Sequence, residues 1–138
     1  MQRDPLDIAH AWLKQSSADL RAGERNRDTP FLACFLAQQS AEKALKALLY
    51  WRKGDAMRLH QIAKLLDELG EEFVDATIAA DLRTLDKYYT TTRYPDSIDF
   101  ASPEESFSQR EATEALRIAA SAVDAVRRLL PQPPPPNA

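Results

Sequence analysis

The chain has 138 residues, room for one domain, with 44% hydrophobic residues, three glycines and a formal net charge of −3. An acidic balance with a pI near 5.4 argues against a nucleic-acid surface spread over the whole molecule, though not against a local basic pocket. Cys34 stands alone, which excludes an internal disulfide or a cysteine-built metal cluster. His10 and His60 are too few and too far apart to suggest a metal site, and no cofactor is implied. No apolar run reaches signal-peptide length or the ~20 residues of a membrane span, so a cytoplasmic location without a membrane partner is expected.

Ala, Leu, Glu, Arg and Lys dominate, all good helix formers, while valine and isoleucine are scattered; the expected fold class is all-α. Asp4-Pro5 offers a capping carboxylate and then a proline where no N–H is needed. Leu6, Ala9, Leu13, Ser17 and Leu20 recur at helical spacing, with a stop expected near Gly23. Thr29-Pro30 opens a second helix, 30 to 52, closed by Gly54. A short third helix, 60 to 69, turns Ile62, Leu65, Leu66 and Leu69 inward and stops at Gly70. A fourth, 74 to 92, carries Val74, Ile78, Leu82, Leu85 and Tyr89 on one stripe and ends before Pro95. Ser102 with Glu105 reads as a capping box opening the fifth, whose apolar positions are Ala112, Leu116, Ala119, Val123, Val126 and Leu130.

Short links between such helices predict an up-and-down bundle of four to five helices over residues 1–130, followed by an extended, solvated proline-rich tail at 131–138. The small face of the last helix, Ala112, Ala115, Ala119 and Ala122, allows another helix close, from the same chain or a second subunit. Trp12, Trp51 and Phe107 read as core or interface.

On the second helix, Phe31, Cys34, Ala41, Leu45, Leu48 and Leu49 define a buried stripe with Gln38 in its middle. A buried amide needs partners, and the plain reading of Gln38 is a tie between neighbouring helices. Glu42 and Lys46 flank the stripe as an intrahelical ion pair, and Lys43 reads as a solvated lysine. The stretch "DKYYTTTRYPDSIDF", 86 to 100, breaks the pattern with three tyrosines and an arginine. Its plain reading is Arg93 capping the fourth helix or pairing with Asp86 or Asp96, with the tyrosines as amphipathic core. Its functional reading is a site in which Lys87, Arg93, Tyr89 and Tyr94 combine positive charge, hydroxyls and stacking faces, as phosphate and base recognition require. His60, near Arg58, reads either as packing or capping at the start of the third helix or as part of an anion site there.

"CFLAQQSAEKALKALLYWRKG", then "LHQIAKLLDEL", then "LDKYYTTTRYPD" closely resemble, in that order, the HEPN family, the higher eukaryotes and prokaryotes nucleotide-binding domain, over residues 8 to 130. The resemblance implies a four- or five-helix bundle, commonly a homodimer, often encoded beside a minimal nucleotidyltransferase in a toxin–antitoxin pair. One branch of the family consists of metal-independent ribonucleases carrying an arginine followed after four to six residues by a histidine. Arg93 matches that arginine, but no histidine occurs beyond His60, and ribonuclease chemistry needs a group that exchanges protons near neutrality. The leading expectation is therefore a module binding a nucleotide or another phosphate ligand. Its site comprises Arg93, Lys87, Lys46, Tyr89, Tyr94, Asp96 and His60, with RNA as a further ligand class. A divergent ribonuclease toxin and a purely structural subunit are the alternatives.

Overall fold

Asp4 starts the bundle as expected: its carboxylate accepts the Leu6 N–H at 2.9 Å, and Pro5 opens α1, Pro5–Arg25. The computed structural model describes residues 4–55, 58–70, 76–92 and 102–132. Helix α1 runs past the expected stop at Gly23. That glycine is a contact, since a Cβ there would lie 2.7 Å from Leu116 Cδ2 and 3.4 Å from Leu36 Cβ. The cap is Asn26, which donates its side-chain amide to the Ala22 carbonyl at 2.7 Å and its N–H to that of Gly23 at 3.1 Å. Helix α2, Pro30–Lys53, ends on Gly54 in the left-handed conformation (φ 74°).

Helix α3 spans Ile62–Leu69 and begins two residues after His60. The expected fourth helix is broken, and Val74 and Pro95, at its expected ends, lie outside the described residues. Helix α4, Ala76–Arg83, passes into a 3₁₀ turn, Thr84–Lys87, and then a single helical turn, α5, Tyr88–Thr91. Three residues per turn replace 3.6 across this joint, so Leu82, Leu85 and Tyr88 line up inside. Tyr88 takes the core position expected of Tyr89. The expected start of the fifth helix is also corrected. Ser102 caps nothing with its side chain, and one turn, α6, Pro103–Ser106, precedes a break. The capping box is Ser108 with Glu111, opening α7, Gln109–Leu129. Every element among the described residues is helical, and the expected all-α bundle is what forms.

Helix α2 is the axis of the bundle, packed by α1, α7 and α3. Its pairing with α1 is antiparallel, with Gly23 near Ala33, Ser16 on Ser40 and Trp12 over Lys46. Small residues seven apart make this seam: Ala9, Ser16 and Gly23 on α1, and Ala33, Ser40 and Ala47 on α2, all buried. Ser16, not Ser17, faces inward. Its hydroxyl donates to the Ser40 carbonyl at 2.6 Å, and the Ser40 hydroxyl donates back to the Ser16 carbonyl at 2.9 Å. Lys43, expected in solvent, bridges the same helices through Asp19 at 2.6 Å. The alanine face of α7 packs within the chain against α2, and Ala112, Ala115, Ala119 and Ala122 are all buried. At the C-terminal end, His10 Nε2 donates to the Pro131 carbonyl at 2.8 Å, and residues 133–138 of the expected tail lie outside the described residues.

The serine seam is sensitive to volume more than to hydrogen bonding. Ser40→Ala removes one of two reciprocal bonds and is expected to cost about 1 kcal/mol. Ser40→Val forces two methyl groups between closely apposed backbones and is expected to cost about 1–3 kcal/mol beyond that. Urea denaturation of both variants checks the order, and coincident midpoints would contradict the close seam.

Candidate functional site

A helix enclosed on most sides cannot keep its polar residues in water, and α2 carries a row of them four apart: Gln38, Glu42 and Lys46. Their relative exposures are 0%, 4% and 5%, so each must find partners inside. Lys46 Nζ lies 3.4 Å from Glu42 Oε2, and the Gln38 amide donates to Glu42 Oε1 at 3.4 Å. Gln39 donates to Gln38 Oε1 at 2.7 Å. Among the described residues the bonds of Gln38 therefore stay on its own helix, and it does not tie helices together as expected. The Lys46 ammonium sits 5.4 Å from the ring centroid of Trp12, which stacks on Tyr50 at 6.1 Å. Trp12 thus belongs to the lining of this row, whereas Trp51 is exposed.

Over the other side of Glu42 stands His60. Its Nδ1 is 3.8 Å from Glu42 Oε2, an electrostatic contact too long for a hydrogen bond. Its ring lies nearly parallel to that of Tyr89, 9° apart, with centroids separated by 5.9 Å. The register change at the 3₁₀ turn makes this stack available, because Tyr88 fills the core and leaves the next ring for His60. Just over half of the His60 side chain remains exposed, so the cluster has a buried charged floor and an open imidazole rim. Three of the residues expected from the sequence, Lys46, His60 and Tyr89, are brought together here. The group that joins them, Glu42, was expected only as half of an intrahelical pair. Its signal was available in the row of three polar side chains at spacing four within an otherwise apolar stripe.

The other expectations resolve differently. The start of α3 cannot hold an external anion, because Asp86 already occupies it. The Ile62 N–H donates to Asp86 Oδ1 at 2.5 Å and the Ala63 N–H to Oδ2 at 3.0 Å. Arg93, Tyr94 and Asp96 lie outside the described residues, which on this side end at Thr92. Lys87 lines a different cleft, between the 3₁₀ turn and α7, with Thr84, Arg110, Glu111 and Glu114 among its neighbours. Its ammonium sits 5.1 Å from the Tyr88 ring centroid. Behind that cleft the Tyr88 hydroxyl donates to Glu111 Oε2 at 3.4 Å. Burial, helped by the Glu111 carboxylate, pushes the Cys34 thiol up to about 12. Burial likewise raises the Tyr88 hydroxyl, with Cys34 and Glu111 adding to it. This corner is packing, not a reactive thiol site. Among the described residues no group of three or more His, Cys, Asp and Glu is placed to hold a metal ion, and no helix is long and apolar enough to cross a membrane.

Two outcomes follow from burial. Cys34 is fully buried and its thiol is pushed up, so iodoacetamide is expected to label it only after unfolding. Stoichiometric labelling of the native chain within minutes would contradict a sealed thiol. Lys46→Met strands the Glu42 carboxylate and is expected to cost about 3–5 kcal/mol, while Lys46→Met with Glu42→Leu recovers most of it. A double-mutant cycle by chemical denaturation measures the difference, and additive losses would show that the two charges do not interact.

Two solved structures resemble this one closely. TT1696 from Thermus thermophilus superposes with a TM-score of 0.80 at 35% identity, over 87% of this chain and 96% of its own. ST0689, described as an archaeal HEPN homologue, gives 0.76 at 34% identity, over 95% of this chain and 100% of its own. Among curated proteins there is no significant match. The family model for the HEPN domain matches residues 6–129, nearly the whole helical bundle, and the chain belongs to the HEPN family.

Proposed function

We propose that this HEPN bundle is a homodimeric binding module for a nucleotide or other phosphate-bearing ligand, acting with a separately encoded minimal nucleotidyltransferase. The observation that carries the reading is the cluster on α2: a carboxylate and an ammonium held inside the bundle, rimmed by an open imidazole stacked on Tyr89. A buried ion pair is a weak source of stability compared with apolar packing of the same volume, which makes its placement beneath an exposed histidine a functional signal. Arg93 follows Tyr89 by four residues and supplies the guanidinium for bidentate phosphate contact, with Asp96 orienting it and Tyr94 adding a stacking face. Lys46 pairs with Glu42 beneath the rim, and His60 donates to the ligand from the rim.

Calorimetry with AMP and with inorganic phosphate tests this. Arg93→Ala is expected to weaken AMP binding by ~1–3 kcal/mol, and equal affinities for the two proteins would reject the role. Sedimentation of the same samples is expected to give a dimer mass.

A second reading is favoured by one specific observation. His60 lies against Tyr89 and Glu42 and offers a proton-exchanging group that the sequence after Arg93 lacks. On that reading the chain is a divergent metal-independent ribonuclease, a toxin of a toxin–antitoxin pair. Incubation with total RNA then gives cleavage that disappears in both His60→Gln and Arg93→Ala, with growth arrest lost in parallel. Intact RNA with tight AMP binding leaves the binding module.

A further inference from the structure

We propose that Asp86 is the positioning residue of the His60–Tyr89 ring pair, setting the open rim of the cluster through backbone bonds alone; its functional weight rests on the ligand-binding reading above. The N-terminal N–H groups of a helix need acceptors, and α3 has a poor local supply. Gln61, at its N-cap, makes no side-chain capping bond, and its first turn holds no acidic residue. The acceptor comes from more than twenty residues away in sequence: both oxygens of Asp86 receive the first two N–H groups of α3, at 2.5 and 3.0 Å. A carboxylate on a helix N-terminus is favoured twice, by charge-assisted hydrogen bonds and by the helix dipole.

The consequence lies in the sequence offsets. His60 leaves α3 two residues before Ile62, and Tyr89 stands three residues after Asp86 on the segment that carries the carboxylate. One side chain therefore joins the two backbone segments that bear the two rings, close to where each ring departs. The near-parallel stack at 5.9 Å, and the 3.8 Å approach of His60 to Glu42, follow from that joint. The bonds of Asp86 go to the backbone N–H groups of Ile62 and Ala63. Its effect is transmitted through the start of α3.

The test reads the ring directly. The chain has two histidines, so its proton NMR spectrum has two imidazole Hε1 signals, and His60→Gln identifies which belongs to His60. The wild-type His60 signal is expected to be displaced by the face of Tyr89, and Tyr89→Leu gives its unstacked position. Asp86→Ala is expected to move the His60 signal to that unstacked position while the His10 signal stays in place. Asp86→Asn, which keeps one acceptor oxygen, is expected to fall between, and it serves where the alanine variant does not fold. AMP affinity is expected to fall by about tenfold to a hundredfold in Asp86→Ala, as for His60→Gln. A His60 signal unmoved in both Asp86 variants overturns the proposal, leaving Asp86 a helix cap and nothing more. A moved signal with AMP affinity unchanged in both Asp86→Ala and His60→Gln upholds the positioning of the rings and overturns the ligand-binding reading.

Discussion

Enclosure of α2 is the constraint on which the rest of the molecule depends. A helix with one wet face can turn its charges outward, and α2 has little such face, because α1 closes on it through alanine, serine and glycine and α7 closes through alanine. Small side chains let backbones approach, which leaves little volume to shield the polar residues α2 carries. Gln38, Glu42 and Lys46 are therefore forced into mutual contact, and Trp12 is drawn over the ammonium from α1. The chemistry of the cluster is a consequence of how tightly the helices pack around it.

The second determinant is a local defect in winding. A continuous α-helix from 76 to 92 would present Leu82, Leu85 and Tyr89 to the core, and Tyr89 would be unavailable to His60. One 3₁₀ turn rotates the chain enough to bury Tyr88 instead. The same turn carries Asp86 to the start of α3. Thr91 and Thr92 then donate to the Lys87 and Tyr88 carbonyls at 2.6 and 2.5 Å, using threonine hydroxyls to finish a segment too short to complete its own ladder.

Much of this fold was legible in the sequence, because helix boundaries set by local chemistry are written locally. Asp4-Pro5, Gly54 and Gly70 marked ends that the structure keeps, and the apolar spacing of the last helix marked positions that are all buried. What misled was decided at a distance. Gly23 resembles a stop, but it is a hole into which Leu116 fits. Ser102 with Glu105 satisfies the capping-box spacing as well as Ser108 with Glu111 does, and only the route of the chain past Phe107, which packs edge-on to Tyr88, selects the second. The candidate site was legible only in its residue types. Lys46, His60 and Tyr89 were named from residue type and lie in one cluster, whereas the carboxylate between them was hidden by an ordinary-looking i, i+4 pair.

The source of the imidazole separates this chain from the ribonuclease pattern that its late segment resembles. A histidine a few residues after an arginine on one helix is held to it by that helix's own geometry. Here the ring comes from the link between α2 and α3, so its distance from the α4–α5 segment is set by tertiary contacts that can change without breaking a helix. Its Nδ1 faces Glu42, which also faces Lys46, and a carboxylate shared between an ammonium and an imidazole holds the ring less firmly than one devoted to it. An acid–base catalyst needs its proton acceptor fixed to within a fraction of an ångström of the reacting oxygen. A binding rim needs its imidazole and aromatic face presented as a pair, but not that accuracy at a single atom. The His60–Glu42 contact is longer than a hydrogen bond, whereas the Glu42–Lys46 pair beneath it is buried, and on that contrast the binding proposal is preferred to the cleavage one.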